Sequence, residues 1–201
     1  MTEIPLFPGS TEVVKIDAET ISFDDWTLRI KDVTALSFMM SYYGGIISSE
    51  GGRVVLHTST TKKTIAIKDY TILGFCKGEI NIAQIWAAIA DAVGGGLLIK
   101  ICTLVFVENI PVKIGSVTFT AVGIECFSIT GKKFIPWAYK PHIGYATKTP
   151  IFDNRTISGN IAIQYTDPGN GKRKEFAKVT SDEPNGFLVP YILDFARENI
   201  V

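Results

Sequence analysis

The chain resembles itself. Residues 13–23 (VVKIDAETISF) line up with residues 116–126 (SVTFTAVGIEC) at an offset of 103. The likeness continues in order: residues 28–33 match 133–138 at 105, residues 52–58 match 159–165 at 107, and residues 62–67 match 173–178 at 111. Offsets that climb by two to four residues are what insertions in loops between strands produce. The matched segments alternate apolar and polar side chains, the period of strands with one buried face. The first pair reads as two strands joined by a tight bend, at residues 17–19 (DAE) and 120–122 (TAV). A chain with this pattern is expected to fold as two similar β-rich units of about six strands each.

Each unit closes on a helical pattern. Ile82, Ile85, Trp86, Ile89 and Val93 recur at i, i+3, i+4, i+7 and i+11, one face of a helix, and the glycines Gly94, Gly95 and Gly96 are expected to stop it. In the second unit Leu188, Tyr191, Ile192 and Phe195 repeat the spacing, with Asp194, Arg197 and Glu198 facing away. Pro190 fits only in that helix's first turn, where no intrahelical donor is lost. The fold class that follows is α+β: two units, each a curved antiparallel sheet plugged by a C-terminal amphipathic helix. The boundaries read as an N-terminal arm at 1–10, unit 1 at 11–96, a connector helix or strand at 97–110, and unit 2 at 111–201.

Composition sets what such a chain can be. With 46% apolar residues and 20 basic against 20 acidic groups, it is built to bury a core, which excludes a disordered tail or a polybasic arm. Cys76, Cys102 and Cys126 form no CxxC pair and read as reduced, buried thiols. Residues 1–10 (MTEIPLFPGS) lack the basic start and apolar run of a signal peptide, so the expected location is cytoplasmic, with a peripheral membrane position left open. The one apolar stretch, residues 80–107, is broken by Asp91 and Lys100 into charge-free pieces of 11, 8 and 7 residues. Each is shorter than the roughly 18–20 residues that cross a bilayer. Core segments of a soluble fold are the expectation.

Several antiparallel strands followed by one amphipathic helix, with the step Ile135, Pro136 and Trp137, the bend before Gly123, Ile124 and Glu125, and the strand 160–165, resemble the small bacterial pleckstrin-homology-like domains. In unit 1 the equivalent step is Ile30, Lys31 and Asp32. The resemblance covers most of the chain as a tandem pair. It implies a binding scaffold, since such folds hold lipid headgroups, peptides or other protein domains and rarely carry catalysis.

The residues themselves supply no catalytic set, cofactor site or metal site. His57 and His142 stand apart from each other and from the cysteines. The glycine triplet lacks the Lys-Ser/Thr of a phosphate loop, and Asp167, Pro168, Gly169, Asn170 and Gly171 read as a hairpin turn rather than a calcium loop. Asp24 and Asp25 have no opposing carboxylate pair.

Charge placement is more informative. Residues 1–32 hold seven acids and three bases, a net of −4, whereas residues 132–178 hold nine bases and three acids, a net of +6. The candidate contacts for an anion or a partner are Lys132 and Lys133 in one turn and Lys172, Arg173 and Lys174 after another. Solubilising lysines at strand edges are the competing explanation. The residues at 17–19 and 120–122 offer no base for lipid phosphates, which disfavours the lipid use of the family. The expected partner is therefore a protein or a second copy of the chain. Anionic lipid stands as the alternative through the basic turns of unit 2, and nucleic acid is disfavoured.

Overall fold

Short alternating segments at the start of the chain become a four-stranded antiparallel meander, β1 (Thr2–Pro5), β2 (Val13–Ile16), β3 (Thr20–Phe23) and β4 (Trp26–Arg29), paired in that order. The coordinates are a computed structural model that describes residues 1–43, 47–72, 81–128, 131–145, 154–156, 160–180 and 182–200. In β2 the alternation is visible residue by residue, with Val14 and Ile16 buried and Lys15 exposed. Within residues 1–10, β1 pairs with β2 from Thr2↔Ile16 to Pro5↔Val13. A 3-10 turn (Ile30–Asp32) leads to β5 (Ala35–Tyr43), β6 (Ile47–His57) and β7 (Lys62–Ile72), a second antiparallel sheet.

α1 (Ile82–Cys102) follows. Its entry is pinned to the first sheet, where the Asn81 side chain donates to the Pro5 carbonyl at 2.9 Å and its backbone N–H to the Leu6 carbonyl at 3.0 Å. Ile82, Ile85, Ile89 and Val93 are buried, and Trp86 stacks on Phe38 at 5.0 Å. Gly52 on β6 permits the approach of the helix, because a Cβ there would stand 2.7 Å from Ile82 Cγ1.

The glycine triplet does not stop this helix, which corrects the expectation. A mid-helix glycine costs about 1 kcal/mol against alanine. Burial of Val93, Leu97 and Ile101 on either side outweighs that penalty. Asp91 and Lys100, both exposed, do not interrupt it either. α1 and the π-helical turn Thr103–Val107 together run for 26 residues, long and apolar enough to cross a membrane by length and composition alone.

The second meander repeats the first: β8 (Val112–Ile114), β9 (Val117–Thr120), β10 (Gly123–Ser128) and β11 (Gly131–Pro136), then a 3-10 turn (Trp137–Tyr139). β12 (His142–Tyr145), β14 (Asn160–Thr166) and β15 (Arg173–Thr180) form a three-stranded sheet, and α2 (Val189–Asn199) ends the chain with Pro190 in its first turn. Between β12 and β14 the chain contributes β13 (Asn154–Thr156), which pairs antiparallel with β5. The chain divides into two compact units, Met1–Leu97 with Thr149–Ser158, and Leu98–Lys148 with Gly159–Val201. Among the described residues the element order is thus seven strands and a helix, twice, with β13 as an addition to unit 1, rather than about six strands per unit. Antiparallel sheets with two helices make the chain α+β.

Hydrogen bonds fix which residues are equivalent. Asp17 Oδ1 accepts from the N–H groups of Glu19 (2.8 Å) and Thr20 (2.7 Å). Thr120 Oγ1, 103 residues on, accepts from the N–H of Gly123 at 3.1 Å. Past the fourth strand, Ile30 N–H donates to the Glu19 carbonyl at 2.7 Å and Trp137 N–H to the Val122 carbonyl at 3.3 Å. Ile30 therefore corresponds to Trp137, two residues away from the match of Ile30 with Ile135 read from the sequence. A slip of two preserves the in-out alternation of a strand, so side-chain pattern cannot detect it.

The buried face of α2 is also corrected. Val189, Ile192, Leu193 and Ala196 are buried, whereas Tyr191 is 57% and Phe195 37% exposed.

Candidate functional site

The five candidate cations stand on two hairpins in two different sheets of unit 2. The first hairpin is β10–β11, in which Phe127 lies opposite Lys132 and Cys126 opposite Lys133. Alternation puts Glu125, Phe127, Lys132 and Phe134 on one face. Lys132 Nζ pairs with Glu125 Oε1 at 2.8 Å. Phe127 is 73% and Phe134 48% exposed. Phe134 extends its ring over Gly123, where a Cβ would meet Phe134 Cζ at 2.7 Å. Lys133 belongs to the other face, beside Cys126. Burial pushes the Cys126 thiol up, and the positive charge of Lys133 works against that shift. Cys126 Sγ contacts the Phe176 carbonyl on β15 at 3.8 Å.

The second hairpin is β14–β15, whose turn is organised by Asp167. Its backbone N–H donates to the Lys172 carbonyl at 2.9 Å, and its Oδ1 accepts from the Gly169 N–H at 2.8 Å. Asn170 Oδ1 accepts from the Lys172 N–H at 3.0 Å, and Gly171 takes the left-handed conformation at φ 68. Lys174 forms an ion pair with Asp167. That hydrogen bond is the main reason the Asp167 carboxyl lies below the usual carboxylate range, and it holds Lys174 above the usual lysine range.

Two of the five cations are thus neutralised inside their own hairpins. Lys133, Lys172 and Arg173 make no ion pair among the described residues. No hydrogen bond or ion pair among the described residues joins the two clusters, so the structure does not assemble the five into one anion cradle.

Residues with acid-base chemistry are dispersed. His57 ends β6 with Nε2 buried and unpartnered, and burial, with Lys62 nearby, holds the imidazole below the usual histidine range. His142 Nδ1 lies 3.4 Å from the Lys140 carbonyl. Cys102 and Cys126 are buried free thiols, both pushed up by desolvation, and Cys76 lies outside the described residues. Among the described residues no three His, Cys, Asp or Glu side chains stand where a metal could be held.

Sequence reasoning missed the aromatic part of the first hairpin, Phe127 and Phe134. Part of the signal was present, because Phe127 sits two residues from Glu125 and so shares its face in a strand, whereas its place opposite Lys132 depends on the register. Comparison with family models, with curated proteins and with solved structures finds no match for this chain.

Proposed function

We propose that the chain is a non-catalytic scaffold, a tandem pair of pleckstrin-homology-like units that presents a surface to another protein. The observation that carries this reading is the repeated order of a four-stranded meander, a 3-10 turn, three further strands and a helix, with bends built at equivalent positions by Asp17 and Thr120. Fold likeness alone does not choose a ligand. The choice of a protein rests on the β10–β11 hairpin, where exposed Phe127 and Phe134 flank a lysine whose charge Glu125 already offsets. Aromatic side chains on an exposed face are enriched at protein interfaces. Lys133, on the opposite face of the hairpin, and Lys172 and Arg173, on the other sheet, add positive charge to unit 2 that favours approach of an acidic partner.

Cross-linking in cells that express the full chain tests the reading. A discrete protein cross-linked to residues 125–134 is expected, and it should disappear with Phe127→Ser and weaken with Lys133→Glu. The same adduct pattern in wild type and variants would overturn the assignment of this face. Co-sedimentation with phosphatidylserine vesicles at two salt concentrations tests the alternative, because charge-driven lipid binding must weaken as salt rises. Binding that does so, and that Lys172→Glu with Arg173→Glu abolishes, would replace the protein reading with the membrane one.

A further inference from the structure

The duplicated meander carries its own standard for a solvent-facing surface. In unit 1 one residue from each strand forms a row across the outer face, with Glu3 opposite Lys15, Lys15 opposite Ser22 and Ser22 opposite Thr27. The row is satisfied within itself. Lys15 Nζ pairs with Glu3 Oε1 at 3.3 Å, and the Ser22 and Thr27 hydroxyls share a hydrogen bond of 3.0 Å. All four side chains are polar, as a face open to water requires.

The same row in unit 2 sets Lys113 opposite Thr118, Thr118 opposite Glu125 and Glu125 opposite Phe134. Strand order and register therefore make Lys113 the counterpart of Glu3, and Phe134 the counterpart of Thr27. Both ends of the row have changed character: the acid has become a base, and the hydroxyl has become a ring that is 48% exposed. Glu125 does not restore the balance, because Lys132 of the adjacent row takes it. Lys113 is exposed and makes no ion pair among the described residues. Phe127 adds a second exposed ring to this face.

We propose that the outer face of the β8–β11 meander docks an acidic segment of another protein, whose carboxylate is received by Lys113 and whose aromatic or aliphatic side chain is seated on Phe127 and Phe134. The inference rests on the scaffold reading and specifies the partner's chemistry. Covering the two rings removes apolar surface from water, and the charge that unit 1 supplies from Glu3 must here come from outside the row. Lys133 cannot answer for it, because alternation sets that side chain on the opposite face. Lys113 and Phe134 lie on the two edge strands of the sheet, about 14 Å apart at the usual strand spacing. An extended chain covers that span in about four residues, and side chains i and i+4 of such a chain point the same way. An acid and an apolar residue at that separation thus reach the two ends of the row together.

Fluorescence anisotropy of the full chain with a labelled random copolymer of glutamate and tyrosine, compared with labelled polyglutamate, tests this. The copolymer contains every spacing of acid and ring, so the required one is always present. The wild type should bind it about tenfold or more tightly than polyglutamate. Phe134→Thr and Lys113→Glu each install the side chain that the equivalent position of unit 1 already carries on the same meander, which keeps the risk to folding low. Phe134→Thr should remove most of the preference for the copolymer. Lys113→Glu should weaken copolymer binding several-fold at low salt, and the difference should shrink as salt rises. Equal binding of the two polymers, or copolymer binding that either substitution leaves unchanged, overturns the proposal. If it falls while a discrete protein still cross-links to residues 125–134, the scaffold reading stands with a partner of other chemistry; if that cross-link is absent as well, both fall.

Discussion

Unit 1 and unit 2 reach the same topology with different cores. At equivalent points after the fourth strand, unit 1 has Ile30, half-buried, and unit 2 has Trp137, 3% exposed. The Trp137 Nε1 donates to the Thr120 carbonyl at 3.0 Å, and its ring lies 5.6 Å from Phe106 and 6.3 Å from Phe119. Phe106 in turn stacks on Phe195 of α2 at 5.4 Å. In unit 1 the aromatic contact to the helix is made elsewhere, by Phe38 and Trp86. The difference teaches that the backbone bonds at the bends carry the topology, while the large side chains that fill each unit are placed independently.

Substitution at this pair of positions gives the largest contrast. Trp137→Ala removes a buried aromatic and leaves the Thr120 carbonyl without its donor, a loss of about 3–5 kcal/mol. Ile30→Ala at the equivalent half-buried position should cost under about 1 kcal/mol. Amide exchange should show β8–β11 losing protection in the first variant while β1–β4 keep theirs. Equal losses in both units would mean that they unfold as one body and would break the comparison.

The next contrast lies in a turn. Gly115, between β8 and β9, has φ 56, and a methyl group there would fall on the carboxylate of Glu183. That carboxylate accepts from the Thr180 N–H at 3.0 Å, and the neighbouring Ser116 hydroxyl donates to the Lys178 carbonyl at 2.6 Å. Gly115→Ala therefore combines a left-handed backbone with a displaced capping carboxylate and should cost about 1–3 kcal/mol. Unit 1 anchors the approach to its helix through Asn81 instead, so Asn81→Ala should cost about 1 kcal/mol by removing one side-chain bond. Thermal unfolding of the two variants ranks them. A Gly115→Ala protein as stable as the wild type would show that Glu183 moves aside freely.

How much of this was legible in the sequence differs by kind of interaction. The β2–β3 and β9–β10 hairpins are written locally, as alternation around a side chain that caps the bend, and so were readable at Asp17 and Thr120. The match of residues 52–58 with 159–165 agrees with the strand pairing, where β5 begins with Ala35 opposite His57 and β12 with His142 opposite Gln164. The match of residues 62–67 with 173–178 is off by two, since Lys62 pairs with His57 and Glu175 with Gln164, again a slip that alternation permits. The continuation of α1 through Gly94–Gly96 was not legible, because tertiary burial of Leu97 and Ile101 decided it against local propensity. β13 was not legible either, since three polar residues pair with a strand more than a hundred positions earlier. Of the candidate site, the cations were visible as charge, but their partners Glu125 and Asp167 depend on strand register and turn geometry.

The smallest contrast is one of proton uptake. His57 belongs to unit 1, and its equivalent in unit 2, Gln164, does not titrate. Burial, and secondarily Lys62, hold the folded imidazole below its ordinary value of 6.5. The unfolded chain then binds this proton more readily than the folded one, so the linkage favours folding at higher pH. The contribution is fully present above the unfolded value and is lost as pH falls through the lower folded one. Asp17 and Asp167, both held below the ordinary 3.8 by hydrogen bonds, give each unit a similar loss only at stronger acid. Between these two ranges unit 1 alone should loosen, seen as faster exchange at the His57 end of β5, β6 and β7 with β14–β15 unchanged. His57→Gln, which installs the side chain of the equivalent position, should flatten that dependence. If β14–β15 loosen over the same range in the wild type, the effect belongs to some group other than His57, and the two units are alike in this respect after all.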